Sequence, residues 1–191
     1  MFLRSTVLAI ALSTQIALAE EWLSRGWTAS ALVGPWSNND SSDIFLEQEW
    51  RTDSWAIGVA GGKELIRWDE RLALEGELHA FRHVAGEDHW IFGGLLVARW
   101  LQFPWNDKVA TTAAFGFGLS YSTEDPRRGS GADAASQLLA GLFVEATFAR
   151  PNSDWAVLFR YQHRSSVFGL YGGEGAQDEG TGLMLAIKYS F

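Results

Sequence analysis

Trp155-Ala-Val-Leu-Phe-Arg-Tyr-Gln-His-Arg-Ser165 and Glu179-Gly-Thr-Gly-Leu-Met-Leu-Ala-Ile-Lys-Tyr-Ser-Phe191 are the two segments whose reading decides the fold. In the second, Leu183, Leu185, Ile187, Tyr189 and Phe191 alternate with Gly182, Met184, Ala186, Lys188 and Ser190, the period of two expected of a strand with one apolar face. In the first, Trp155, Val157, Phe159 and Tyr161 are odd-numbered and apolar, whereas Arg160, Gln162 and Arg164 are even-numbered and polar. A glycine-rich connection over 166–178 joins them as antiparallel neighbours. A soluble protein buries such an apolar face, but a membrane barrel turns it toward lipid. His163 and Ser165 fall on the same odd-numbered face, where polar groups call for a reason.

Outward from this pair, the same alternation recurs in segments of about ten residues, the length of a tilted membrane strand. The segments are 27–34, one within 44–66, 71–81, 89–101, 109–121 and 137–149, followed by the two quoted above. Eight strands predict an all-β, eight-stranded antiparallel transmembrane β-barrel. Turns at 67–70, 103–108 and 150–153 are short, whereas the connections 35–43, 82–88, 122–136 and 166–178 are mostly longer. Short periplasmic turns and longer outer loops would place both chain ends in the periplasm.

The inward face carries Glu75, Glu77, His79, Arg99, Glu145, Arg160 and Lys188. A soluble lipocalin-like barrel has the reverse polarity, apolar inside and polar outside. Small residues such as Gly116, Gly118 and Ser120 leave room in a narrow interior. Side chains fill a barrel of this size, so the acids and bases are expected to pair as structural glue and function to lie on the outside or in the loops.

The N-terminus supplies the cellular context. Arg4, the short apolar run Val7 to Leu12 and Ala17-Leu18-Ala19 read as a secretory signal peptide over residues 1–19, leaving 20–191 as an outer-membrane β-barrel domain. There is no cysteine, hence neither a disulfide framework nor a thiolate metal site. With 47% hydrophobic residues but no apolar run after the leader long enough for a membrane helix, the chain suits a barrel. A net charge of −8 argues against nucleic acid as a partner. The terminal Phe191, following Tyr189, resembles the C-terminal signal read by the barrel-assembly machinery. The expected location is the bacterial outer membrane, with a second copy of the chain as a candidate partner in a homodimer.

Chemistry enters at His163-Arg164-Ser165. Side chains two apart on a strand point the same way, so His163 can take the Ser165 hydroxyl proton and make it a nucleophile. A carboxylate is needed to orient the imidazole. Glu179 continues the odd-numbered face of the last strand, and Glu174 and Asp178 are rivals in the preceding loop. His79, His83 and His89 span a strand end and a loop without metal-ligand spacing, so no metal or cofactor is expected. Arg127 and Arg128 in the third outer loop can meet phosphates, or can simply be solvated.

The export signal, the small barrel, His-x-Ser on the penultimate strand and an acid at the start of the last one resemble the lipid A 3-O-deacylase family, also known as acyloxyacyl hydrolases. The likeness is clearest from about Phe159 to Phe191 and architectural before that. It implies Ser165 as nucleophile, His163 as base and Glu179 as the acid, acting on lipid A of lipopolysaccharide in the outer leaflet. Family members commonly carry Asn after the serine as part of the oxyanion site, where this chain has Ser166. The competing expectation is a non-enzymatic barrel, an adhesin or structural protein, acting through loops 35–43 and 122–136.

Overall fold

The computed structural model describes residues 26–38, 50–86, 88–124, 137–166 and 180–191. The strands are β1 (Trp27–Ser37), β2 (Ser54–Trp68), β3 (Leu72–Val84), β4 (Trp90–Trp100), β5 (Ala110–Ser122), β6 (Leu138–Ala149), β7 (Trp155–Ser165) and β8 (Thr181–Ser190). Each pairs antiparallel with its neighbour in sequence, and β8 pairs with β1 to close the barrel. Closure leaves no sheet edge, as a sheet surrounded by hydrocarbon requires. Residues 1–19, read as a signal peptide, lie outside the described residues.

Alternation sorts the side chains as the sequence predicts. Ile57, Val59, Leu78, Phe92, Leu96, Phe117, Val144, Phe159, Leu185 and Ile187 are exposed on the outside. Trp27, Trp68, Trp100 and Trp155 gird the end that carries the short turns, and Trp55, Trp90 and Tyr121 gird the other. Along β4 the two girdles are Trp90 and Trp100. That separation, at about 3.4 Å per residue and a tilt near 45°, gives a band roughly 24 Å tall, the height of a hydrocarbon core faced by a barrel. In β2 the register shifts between Glu64 and Ile66, a bulge at Leu65. One extra residue reverses the alternation, so Ile66 and Trp68 face outward where Val59 and Ile57 did so with odd numbers.

The interior is layered. Toward the turn end, Arg160 donates from Nη1 and Nη2 to the two Glu77 carboxylate oxygens, both at 2.7 Å. It also donates from Nε to Glu145 at 3.0 Å. Arg99 bonds Glu145 at 3.0 Å and Glu75 at 2.7 Å, and Lys188 Nζ lies 3.7 Å from Glu145. Three acids and three bases thus balance across five strands, as a buried charge cluster must. The Arg160 guanidinium also lies 3.8 Å from the Phe143 ring centre. Phe143 stands directly across from Gly116, and His79 directly across from Gly93. A Cβ at either glycine would collide with the facing ring.

Three sequence expectations are corrected. The interior is polar only in part: Leu32, Trp36, Ala56, Phe81, Ile91, Leu158 and Met184 form an apolar plug farther toward the loop end. Pro35, Trp36 and Ser37, read as part of a turn, belong to β1. Pairing with β8 skips from Val33 to Trp36, so the missing Pro35 N–H falls where no ladder partner requires it, and Trp36 fills the barrel against Gly182. Finally, β3 continues to Val84, which places His83 inside the barrel, stacked on His89 with ring centres 4.8 Å from Trp36 and 4.3 Å from His89.

Candidate functional site

The register of β7 against β8 sets His163 opposite Thr181, at the loop end of the barrel. His163 Nδ1 lies 3.1 Å from the Gly180 carbonyl oxygen and 3.0 Å from Thr181 Oγ1. A carbonyl only accepts, so in the neutral ring this contact requires the proton on Nδ1. Nε2 then keeps its lone pair and can serve as a base. The Tyr161 ring stacks at 6.3 Å from the imidazole, and its hydroxyl reaches Thr181 Oγ1 at 3.5 Å. The Gly180 carbonyl also accepts from the Arg164 amide at 3.1 Å.

Gly180 has φ +106°, a conformation that side chains rarely adopt. A Cβ there would meet the Ser37 carbonyl and the Trp36 indole. Glycine therefore lets the chain turn into β8 while aiming its carbonyl at His163. The buried Trp36 beneath links this corner to the barrel interior.

His163 and Ser165 share the exterior face of β7 by register, opposite Leu142 and Ala140 of β6. They do not stand open to lipid, however. His163 is 6% exposed, Ser165 9% and Ser166 5%. The alternation of exposed and covered residues that runs from Trp155 to Tyr161 ends at Gln162, and the rest of β7 is buried. The inward neighbour Arg164 donates from Nε to Ser120 Oγ at 2.9 Å and from Nη2 to the Gln137 carbonyl at 3.0 Å, tying β7 to β5 and β6. Glu179, Glu174 and Asp178, the candidate acids, lie outside the described residues, as do Arg127 and Arg128.

Thr181 and Gly180 are the site residues that the sequence reading passed over. Their signal was present: Thr181 is a polar residue on the odd-numbered face immediately before Leu183. Among the described residues no group of three His, Cys, Asp or Glu side chains is placed to hold a metal ion. His83 and His89 lie face to face instead, with His83 Nδ1 3.0 Å from Ser54 Oγ.

An apolar exterior, an interior with a buried charge cluster and closure by eight antiparallel strands define a small β-barrel of the bacterial outer membrane. No family model and no curated protein matches the sequence. Among solved structures that share its fold are two crystal structures of outer-membrane proteins. The crystal structure of the outer membrane enzyme PagL aligns over 86% of this chain and 99% of its own, with a TM-score of 0.55 and 14% identity. That of Neisserial surface protein A (NspA) aligns over 86% of this chain and 96% of its own, with a TM-score of 0.54 and 12% identity. At such identities the likeness is one of architecture.

Proposed function

We propose that the chain is an outer-membrane esterase that removes an ester-linked 3-hydroxyacyl chain from lipid A of lipopolysaccharide. The observation that carries this reading is the fixed imidazole: Nδ1 is anchored at Gly180 and Thr181, and a serine lies two residues on along the same face. The pair is at the loop end of the barrel, the height at which lipid A would present its acyl esters in the outer leaflet. Ser165 Oγ attacks the ester carbonyl as its proton passes to His163 Nε2. The tetrahedral intermediate collapses, and the sugar hydroxyl leaves with that proton. Water, deprotonated by the same nitrogen, then attacks the acyl-enzyme, and the fatty acid is released as His163 Nε2 returns that proton to Ser165 Oγ. Glu179 is the proposed acid supporting the imidazolium, with Glu174 and Asp178 as alternatives, and Ser166 contributes its backbone amide or hydroxyl to the oxyanion site.

The covering of His163 and Ser165 favours a second reading, a non-enzymatic barrel acting through its outer loops. Active-site labelling separates them. The refolded barrel, incubated with a long-chain alkyl fluorophosphonate, is expected to gain one covalent adduct at Ser165, and His163→Ala is expected to abolish it. An unlabelled wild type, in a preparation that is folded and accessible to detergent, would favour the loop-acting barrel.

A further inference from the structure

On the outside of the barrel at its turn end, the turn before β5 and the turn after β6 bound a groove of about 610 Å³. Its floor is a row of apolar side chains from three adjacent strands. Phe148 pairs with Val157 and Val157 with Ile187, and all three are exposed. Its rim carries two exposed cations, Lys108 and Arg150, beside Trp155. Neither cation forms an ion pair with a carboxylate of the described residues. Asp107 does not line the groove, and Asp154 lines the mouth of the barrel instead.

An apolar floor continuous with the lipid-facing belt, under a rim with two cations that no carboxylate of the described residues pairs, has a definite complement. We propose that the groove binds an anionic glycerophospholipid of the inner leaflet. Arg150 and Lys108 take its phosphodiester, the guanidinium by paired N–H donors, and one acyl chain lies along Phe148, Val157 and Ile187. Trp155 stands at the level of the glycerol backbone, where an amphipathic ring belongs. The site is at the opposite end from His163 and Ser165, so it does not rest on the proposed esterase reading.

Native mass spectrometry of the refolded barrel, released from nonionic detergent with phosphatidylglycerol added, tests this. One retained phosphatidylglycerol per barrel is expected, with weaker retention of phosphatidylcholine. Loss of the charge-assisted hydrogen bonds to the phosphodiester makes Lys108→Ala with Arg150→Ala lower the bound fraction roughly 10- to 30-fold. The control pair Arg67→Ala with Arg71→Ala removes two cations from the same end of the barrel outside the groove, Arg67 being the ion-pair partner of Glu64 at the barrel mouth. Neither side chain reaches the headgroup in the groove, and salt screens charges beyond about 10 Å, so retention is expected to change by less than about two-fold. Equal losses in both pairs would reduce the effect to diffuse surface charge, and no retention by the wild type would overturn the site. Heat-modifiable migration on gels verifies that each variant is folded.

Discussion

At His163 the Gly180 carbonyl decides which ring nitrogen carries the proton and which keeps its lone pair. Under the proposed chemistry, Thr181→Val removes one neutral hydrogen-bonding group at nearly constant shape. Such a bond is worth about 1 kcal/mol, so kcat is expected to fall roughly five-fold with KM little changed. Steady-state hydrolysis of a purified acylated lipid A checks it, and Thr181→Ser is expected to restore most of the rate. The His-x-Ser pair was legible in the sequence because two residues of one strand face the same way whatever surrounds them. Its covering was not. Whether an exterior residue is exposed depends on what packs over it, and alternation carries no record of that. Thr181 was equally hard to assign, because its role follows from a cross-strand register that joins residues 163 and 181, not from any local pattern.

The strands themselves were legible where large apolar residues recur at every second position, as in β8 and the first half of β7, and misread where a turn-forming residue sits inside one. Pro35 in β1 is that case: it signals a turn, yet the gap in the β1–β8 ladder accommodates it. The interior cluster gives the elements their fixed relation. Glu145 of β6 holds Arg99 of β4 and Arg160 of β7 at once. Glu145→Ala leaves two buried guanidinium groups short of their anion, and a loss of about 3–5 kcal/mol is expected, read as an earlier urea midpoint in detergent. Packing imposes a second constraint. Gly116→Val sets a branched side chain against the facing Phe143 ring, and overpacking of about 1–3 kcal/mol is expected by the same measurement.

For the molecule as a whole, inside-out polarity was the strongest signal in the sequence: acids and bases on the inward face of β3, β4, β6, β7 and β8 fit no soluble core. It predicts that Val144→Arg, on the exterior of the barrel away from both girdles, costs about 2–4 kcal/mol in lipid vesicles. The penalty is expected to shrink in the short-chain detergent micelles used for refolding. Fold alone does not choose a function, since an enzyme and a surface protein share this architecture. The choice rests on one hydroxyl. Lipid A from cells expressing the wild type or Ser165→Ala at equal folded levels, compared by mass spectrometry, tests it most directly. The account predicts that lipid A loses one 3-hydroxyacyl chain with the wild type and keeps it with Ser165→Ala. Identical lipid A from both strains would contradict it.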